Sequence, residues 1–444
     1  MPSNVVSMIK YKNISSVAEV IEECGGFKNL KRGDRVLVKP NLVGWDNNGP
    51  YPPWGVLTTS AVMEGVCAAL KDAGAGSVEI GEASIKCKAI GSGTTEIYGY
   101  LGYRKLVDKY GVKLTDFNKE DFDEVEIDDG HKIKITKRVK DCDFLLNVPV
   151  LKTHGHTVVT LAMKNLKGLM HARSKSYFHH PDNLLDHFIS LLAAKYPPSL
   201  SLIDGVYACE KGPLHFGIAH RYGLLVASTD VYAADVLGSH ILGYDVDDVA
   251  YLIEWAERHG RSKNVGDLDI RGGLDPAAER KPLDWDWEWL EDDSGPPSFK
   301  KYGVKNVKLY KYDHTLCTGC SYMFNPLMLI LMSSKKESED LYEILTGMVM
   351  EPSPDAEKTF LFGKCPVDRF KDGRGCANAI PIKGCPPSLD TIIKVLCENG
   401  VPVSLDQYDK YRRYIMDRYL SKPDIFKVED FYMGEIPPEA APRV

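Results

Sequence analysis

The stretch Val36-Leu37-Val38-Lys39-Pro40-Asn41 is a short apolar run that stops at polar residues. A run of consecutive aliphatic side chains is typical of a strand that is buried on both faces of a parallel sheet. Thr58, Thr59 and Ser60 come next and can cap a helix over residues 60–73, where apolar residues recur at helical spacing. A buried strand followed by an amphipathic helix is the first half of a right-handed βαβ unit.

The same alternation continues along the chain. Further strands are predicted at residues 78–80, 144–150, 200–203 and 223–227, and further helices at residues 233–242 and 248–259. The sequence therefore predicts an α/β fold with a mostly parallel, doubly wound sheet. The carboxyl ends of parallel strands share one edge, where ligands bind, and each strand brings a polar residue there. These residues are Asn41, Glu82, Lys152, Asp204 and Asp230. The alternative is that these residues only stabilise turns and helix ends, because Asp and Asn often cap helices.

Residues 152–167 concentrate three lysines and two histidines within otherwise apolar sequence. Such a cluster suits a carboxylate or phosphate substrate, and His154 can exchange a proton near neutral pH. We expect Lys152, His154 and Asp204 to be catalytic. The expected substrate-binding residues are Lys39, Asn41, Thr58, Thr59, Glu82, Lys164, Asn165 and Lys167. The alternatives are a solvated basic face, or a metal pair of His154 and His156 completed by Glu82 or Asp204. His179 and His180 lie in a predicted surface loop.

Cysteines dominate the last third of the chain. Cys317-Thr-Gly-Cys320 puts two thiols on one tight turn, and Cys365 and Cys385 follow Gly363 and Gly384. Four such thiolates can hold a [4Fe–4S] cluster or a structural zinc ion. Zinc ribbons usually supply two Cys-x-x-Cys knuckles, and only one is present, so iron–sulfur is favoured. Proline after Cys385 leads into a predicted helix whose amino terminus would face an anionic cluster. Cys376, in a glycine-rich segment, is an alternative to Cys365.

Two resemblances rest on these and earlier residues. Cys-Thr-Gly-Cys-Ser, Gly-x-Cys and Gly-Cys-Pro-Pro-Ser together resemble the proximal-cluster motif of nickel–iron hydrogenase small subunits over about 70 residues. The longer resemblance is to an uncharacterised family of iron–sulfur-centre proteins, the domain of unknown function numbered three-six-two. Its motifs here are Val38-Lys-Pro-Asn-Leu42, Leu57-Thr-Thr59, Ile80-Gly-Glu82, Val150-Leu-Lys-Thr-His154, Ala162-Met-Lys-Asn-Leu-Lys-Gly168, Ile203-Asp-Gly205 and Ser228-Thr-Asp230. The ferredoxin insert common in that family is absent, which implies one cluster at most.

The length and composition of the chain indicate how it divides into domains. With 444 residues, 44% of them hydrophobic, the chain can build more than one core. Residues 272–300 are acidic and carry four prolines and three tryptophans, which predicts a linker. We therefore expect an α/β domain with a basic cleft at residues 1–271, this linker, and an iron–sulfur domain at residues 301–444. The net charge of −7 argues against nucleic acid as a partner.

The first residues lack a secretory signal, and no apolar run is long enough to span a bilayer. The cysteines outside the predicted cluster motif and Cys376 are expected to be free thiols: Cys24, Cys67, Cys87, Cys142, Cys209 and Cys397. These features predict a cytoplasmic protein of a reducing, anaerobic cell, and a homo-oligomer is compatible with them.

Three functions remain open from the sequence. The first is an iron–sulfur oxidoreductase, or a subunit of one, that passes single electrons from a redox partner such as a ferredoxin to a small anionic substrate. The second is a hydro-lyase-like enzyme in which one iron with an open position acts as a Lewis acid. The third is a non-catalytic electron carrier or maturation factor.

Overall fold

The computed structural model describes residues 4–44, 52–85, 93–182, 184–212, 217–334 and 339–432. The strands are β1 (Val5–Lys10), β2 (Arg35–Pro40), β3 (Ser77–Glu82), β4 (Lys113–Asp116), β5 (Phe122–Asp128), β6 (His131–Thr136), β7 (Phe144–Val148), β8 (Val150–His154), β9 (Val158–Thr160), β10 (Leu200–Glu210), β11 (Ile218–Ser228), β12 (Asp269–Arg271), β13 (Val307–Leu309), β14 (Tyr342–Leu345), β15 (Lys358–Phe362) and β16 (Ala379–Ile382). The helices are α1 (Ser15–Glu23), α2 (Ser60–Asp72), α3 (Thr94–Tyr100), α4 (Arg104–Tyr110), α5 (Arg138–Asp141), α6 (Ala162–Asn165), α7 (Ala172–Tyr177), α8 (Leu185–Lys195), α9 (Val231–Ile241), α10 (Ala250–His259), α11 (Pro276–Glu279), α12 (Ser298–Tyr302), α13 (Thr318–Leu331), α14 (Lys364–Arg369), α15 (Leu389–Glu398) and α16 (Asp406–Leu420).

A ten-stranded sheet forms the larger part of the molecule. Its main order is β12-β1-β11-β10-β7-β2-β3-β4, and β8 extends the line of β7 by pairing with β10 and β9. Neighbouring strands are parallel from β10 through β7, β2 and β3 to β4, and β11 is antiparallel to both β1 and β10. The predicted mostly parallel α/β fold is confirmed.

Both faces of this sheet are buried. Val36 and Val38 point into one apolar core, which includes side chains of α1 and α2, whereas Leu37 points into a second core with α8, α9 and α10. Because side chains alternate along a strand, an unbroken aliphatic run such as 36–38 can satisfy two cores at once. The predicted doubly wound arrangement follows from this pattern.

Two predictions about the sheet edge need correction. Strand β10 does not end at Asp204 but continues to Glu210, so Asp204 lies within the strand. Strand β11 runs antiparallel to β10, so its carboxyl end, near Asp230, lies at the opposite edge of the sheet. Asp230 caps α9 through the N–H groups of Tyr232 and Ala233 and pairs with Arg261 at 2.7 Å. Asp230 therefore stabilises the start of a helix, which is the alternative interpretation of this residue.

A second, smaller sheet contains β13, β14, β15 and β16 in sequence order, all parallel. Its apolar side chains, among them Leu309, Ile344 and Phe360, belong to the same core cluster as the α1–α2 side of the large sheet. The two sheets therefore share packed side chains.

The segment 272–300 contacts both sheets. The carbonyl oxygen of Asp284 accepts a hydrogen bond from Thr153 Oγ1 at 2.8 Å, and Trp289 Nε1 donates to the carbonyl oxygen of Leu309 at 2.7 Å. Of the six cysteines predicted to be free thiols, Cys24, Cys67, Cys142, Cys209 and Cys397 are free, and Cys87 lies outside the described residues. Within the described ranges, none of the helices has both the length and the apolar character needed to cross a bilayer.

Candidate functional site

Four cysteines follow strand ends at the carboxyl edge of the smaller sheet and influence one another electrostatically. Cys317 and Cys320 lie at the start of α13, while Cys365 and Cys385 follow the ends of β15 and β16. A hydrogen bond between the thiols of Cys317 and Cys320 lowers the pKa of Cys317 to about 6 and raises the pKa of Cys320. The negative charges that Cys365 and Cys385 would carry raise the pKa of Cys320 further. We call these four residues the cysteine quartet.

The backbone around the quartet is close-packed. A side chain at Gly363 would begin 2.9 Å from Cys320 Sγ, and one at Gly319 would begin 3.4 Å from Pro386. Glycine at position 363, where φ is +95°, thus lets the loop after β15 approach the Cys-x-x-Cys turn. Cys317 is the N-cap residue of α13, and Ser388 caps α15 three residues after Cys385. Both helix amino termini therefore lie beside the thiols, where their dipoles favour negative charge.

Cys376 belongs to a different part of the structure. Its side chain is buried with Leu345, Leu361 and Phe370 in a small separate core, and its thiol lies 3.4 Å from Asn378 Oδ1. The structure therefore groups Cys365, and not Cys376, with the other three thiols.

The spacing of the thiols bears on the type of metal centre. Within the described residues, no three His, Cys, Asp or Glu side chains lie close enough together to hold one metal ion. A tetrahedral zinc ion with Zn–S bonds near 2.3 Å requires sulfurs about 3.8 Å apart. A cubane cluster holds its thiolates farther apart, because each binds a different iron. The donor set fits a [4Fe–4S] cluster in composition. The same finding shows no metal site at His154 and His156 within the described residues.

A basic cavity of about 110 Å³ lies at the carboxyl edge of the large sheet. We call it the lysine cavity. Among its lining residues are seven that the sequence predicts for this place: Asn41, Glu82, Lys152, His154, Lys164, Asn165 and Lys167. Lys175, Thr160, His179 and Thr318 also line it. The cavity is therefore built from the ends of β2, β3, β8 and β9 and from the turn after β9.

The lysines of the cavity are held away from water. Lys152, Lys164 and Lys167 are each less than a tenth exposed. Burial lowers the pKa of Lys152 to about 8, and burial together with the charge of Lys175 lowers the pKa of Lys167 to about 7. Burial also lowers the pKa of Lys164. Several ammonium groups around one small cavity repel each other, and an anion between them would relieve both this repulsion and the cost of desolvation.

Each lysine is oriented by polar neighbours. Lys152 Nζ donates to Asn41 Oδ1 at 2.5 Å and to the carbonyl oxygen of Val56 at 3.0 Å, and Lys164 Nζ donates to Thr157 Oγ1 at 2.9 Å. Lys167 Nζ instead lies 5.2 Å above the ring of Phe178. Asn41 Nδ2 in turn donates to Asn165 Oδ1 at 2.9 Å.

Three imidazoles adjoin the lysines. The rings of His154 and His156 lie 5.7 Å apart, and those of His156 and His179 lie 5.6 Å apart. Burial and the neighbouring ammonium groups lower the pKa of all three, to about 3 for His156. With its pKa lowered in this way, His154 is neutral near pH 7 and can accept a proton, whereas the predicted exchange of a proton near neutral pH requires a bound anion that raises this pKa again.

Some predicted residues lie behind the cavity and do not line it. Asp204 is 1% exposed, and its carboxylate accepts N–H groups of Thr59 and Val206. Thr58 Oγ1 accepts the N–H of Asn41 at 2.7 Å and donates to the carbonyl oxygen of Val148. Lys39 is 0% exposed and pairs with Glu82 at 2.6 Å. These side chains and the backbone N–H of Thr59 hold the strand ends in place. The predicted catalytic role of Asp204 lacks a contact with the cavity in this structure.

Sequence reasoning missed two cavity residues. His179, predicted on the surface, is 3% exposed, because its ring packs edge-on against His156 at 5.6 Å and its Nδ1 lies 2.9 Å from the carbonyl oxygen of His314. Lys175 reaches the cavity from α7 and donates to the carbonyl oxygen of Ala83. No local pattern singles out Lys175, and the aromatic residues preceding His179 were the available hint of burial.

The cysteine quartet and the lysine cavity are neighbours. Thr318, which follows Cys317 directly, lines the lysine cavity. Cys317 also influences Lys167 electrostatically, since a thiolate at Cys317 raises the pKa of that lysine. The parallel strands of both sheets thus direct their carboxyl ends toward a common region. Four thiols and a cluster of buried cations meet there.

The chain belongs to the family of the domain of unknown function DUF362, whose model matches residues 36–240. A relative in Synechocystis sp., a thylakoid-associated protein, is 31% identical over 240 residues, which are 52% of this chain and 70% of the relative. The matched region contains the motifs around Asn41, Glu82, Lys152, Lys164 and Lys167 that line the cavity.

Two solved structures are similar to this chain, one over most of its length and the other over less than half of it. The lactate racemase apoprotein from Thermoanaerobacterium thermosaccharolyticum aligns over 94% of this chain and 92% of its own, with 9% identity and a TM-score of 0.40. A protein from Thermotoga maritima aligns over 45% of this chain and 51% of its own, with 14% identity and a TM-score of 0.24. Likenesses this distant carry no argument about function.

Proposed function

We propose that this protein is an iron–sulfur oxidoreductase, or a subunit of one, that acts on a small anionic substrate. In this proposal Cys317, Cys320, Cys365 and Cys385 hold one [4Fe–4S] cluster. The cluster, when bound, supplies single electrons to the neighbouring cavity. A redox partner protein such as a ferredoxin delivers those electrons.

The observation that carries the proposal is the position of Thr318. This residue follows a member of the cysteine quartet and lines the cavity that holds the buried lysines. A cluster that only relays electrons to another protein has no need of an enclosed cationic cavity beside it. This adjacency supports catalysis over the alternative of a carrier or maturation factor.

The residues of the cavity have distinct roles in this proposal. Lys152, Lys164 and Lys167 bind the anion, and Asn41 holds Lys152 in place. His154 transfers a proton to or from the bound substrate, since a one-electron step that builds negative charge on the substrate is favoured by protonation. Lys39, Glu82, Asn165, Thr58, Thr59 and Asp204 fix the strand ends that carry these groups.

The Lewis-acid alternative requires an iron without a protein thiolate. Each of the four thiols affects the pKa of at least one of the others. This grouping favours a cluster in which a cysteine thiolate binds every iron. We therefore give electron transfer precedence.

The test is the midpoint potential of the purified, anaerobic protein with and without oxalate as a probe anion. An anion bound beside the cluster adds negative charge, so oxalate should make the potential more negative. The Lys167→Met variant should show a smaller shift. If calorimetry shows oxalate bound and the potential does not move, the cavity and the cluster do not work together and the carrier hypothesis is preferred.

A further inference from the structure

A second cavity, of about 670 Å³, lies along α13 between Asn325 and Met332, beyond the turn that carries Cys317 and Cys320. Its walls are one face of α13, one face of α16, helix α12 and part of the segment 272–300. On α16 the lining residues recur at positions 407, 410, 411, 414 and 418, which is one helical face. We call this cavity the aromatic groove.

The groove has an unusual concentration of aromatic side chains. Six of them line it: Trp287, Trp289, Tyr302, Tyr312, Tyr411 and Tyr414. Tyr302 and Tyr414 are 44% and 58% exposed, although large aromatic side chains are usually buried. Trp289 is fixed by the hydrogen bond from its Nε1 to the carbonyl oxygen of Leu309. Aromatic walls of this kind favour planar ring systems, which stack on them.

The charges that line the groove are of one sign. Lys301, Lys410 and Arg418 reach it, and no Asp or Glu is among the described residues that line it. None of these three cations forms an ion pair within the described part of the chain. Guanidinium and ammonium groups together are the usual partners of phosphate oxygens. The groove is therefore complementary to a ligand that joins a flat ring to an anion.

The size of the groove agrees with such a ligand. Sites for small organic molecules are clefts of roughly 300–1,000 Å³ lined by apolar and aromatic side chains with a few polar groups. At about 110 Å³, the lysine cavity is much smaller. Trp287, Tyr312 and Asn325 also line a small cavity of about 30 Å³ that reaches His154. The lysine cavity and the aromatic groove share no lining residue and are thus separate sites, with this small cavity touching both.

We propose that the aromatic groove binds a mononucleotide-type ligand, with its planar ring against the tyrosines and tryptophans and its phosphate near Lys301, Lys410 and Arg418. This site is independent of the cysteine quartet and of the anion that the lysine cavity is proposed to bind.

The test compares mononucleotides with the same molecules lacking phosphate. Flavin mononucleotide and riboflavin are titrated into the full chain by flavin fluorescence, and adenosine monophosphate and adenosine by saturation-transfer nuclear magnetic resonance. We expect at least one mononucleotide to bind with a Kd below about 1 mM and at least tenfold more tightly than its neutral counterpart. If neither mononucleotide binds, or if both bind no better than the neutral molecules, the proposal is wrong.

Variants locate the binding. The double variant Lys301→Gln with Arg418→Gln should weaken mononucleotide binding at least tenfold, to the level of the neutral counterpart. The matched control, Lys300→Gln with Arg413→Gln, changes exposed neighbours that do not line the groove and should leave affinity unchanged. Lys152→Met, in the lysine cavity, should also leave it unchanged. Equal losses in the control, or a loss only in Lys152→Met, would assign the binding to another surface and overturn the proposal.

Discussion

Lys39 and Glu82 form an ion pair, with 2.6 Å between Nζ and Oε2, that is almost completely shielded from water. It joins the ends of β2 and β3, the two strands that bring Asn41 and Glu82 to the lysine cavity. Glu82 also accepts the N–H groups of Leu42 and Ala83. Breaking a buried pair leaves an uncompensated charge and costs about 3–5 kcal/mol. The pair therefore fixes the edge of the sheet on which the lysine cavity is built.

Gly168→Ala tests this relationship. A Cβ at position 168 would lie 2.1 Å from Glu82 Oε1 and 2.2 Å from Lys39 Cε, so both buried side chains would have to move. We expect the free energy of unfolding to fall by about 3 kcal/mol, measured by urea denaturation. The control is Gly99→Ala in α3, where nothing lies within 4 Å and the effect should be neutral or stabilising by up to about 1 kcal/mol. Equal effects of the two substitutions would contradict the account.

The cysteine quartet makes a selective prediction about metal content. Cys365→Ser should lose most of its iron and acid-labile sulfide after anaerobic purification, because it removes one thiolate of four. Cys376→Ser is the matched control, since its thiol lies in a separate apolar core, and it should keep both. Chemical analysis of iron and sulfide measures the outcome. The reverse pattern would assign the ligand role to Cys376.

The lysine cavity predicts the binding of small anions. Lys152→Met keeps the length of the side chain but removes its charge, so a charge-assisted hydrogen bond of about 1.5–3 kcal/mol to the anion is lost. Oxalate affinity, measured by calorimetry, should fall by roughly 10- to 100-fold. Lys132→Met, which changes a lysine in an exposed ion pair with Glu124, is the control and should bind oxalate normally. Unchanged affinity in Lys152→Met would remove Lys152 from the anion site.

Oxalate binding should depend on pH with a definite sign. The pKa of Lys167 is lowered to about 7 and that of Lys152 to about 8, so these groups lose their charge as pH rises through this range. An anion binds the protonated lysines, and oxalate keeps a fixed charge, so affinity should fall between pH 6.5 and pH 9. Near pH 8 binding should be coupled to uptake of about one proton, seen by calorimetry in buffers of different ionisation enthalpy. Affinity that is constant with pH would contradict buried lysines as ligands.

The free protein should show the opposite trend. Lysines in an unfolded chain have a pKa of about 10.4, above the lowered value of Lys152, so between pH 8 and pH 10 the unfolded state binds more protons. Stability therefore rises with pH in this window, relative to Lys152→Met. Thermal denaturation of both proteins, without oxalate, gives the difference. A stability difference that is flat or falls with pH would contradict the lowered pKa.

The fold was largely predictable because its signals are local. The aliphatic run at 36–38 and the amphipathic helix after Thr59 appear in the structure as β2 and α2, although the Thr59 side chain makes no capping hydrogen bond. Of the five polar residues predicted for the sheet edge, Asn41, Glu82 and Lys152 line one cavity, since strand ends of a parallel sheet meet at that edge. Cys317, Cys320, Cys365 and Cys385 also stand out in the sequence as a pattern, and their role as cluster ligands stays a prediction.

The features of the site that could not be predicted depend on the direction and the length of the strands. Asp230 is at the wrong edge because β11 runs antiparallel to β10, and an apolar run carries no mark of its direction. Asp204 is internal because β10 continues beyond it through residues whose polar and apolar character does not change abruptly. His179 and Lys175 reach the cavity only through the tertiary path of α7 and the loop after it.

The most direct test of the account is Mössbauer spectroscopy of the protein produced with ⁵⁷Fe and purified without oxygen. The account predicts the spectrum of one [4Fe–4S] cluster per chain, and loss of that spectrum in Cys320→Ser. A protein that carries zinc and no iron, or iron without acid-labile sulfide, would contradict it.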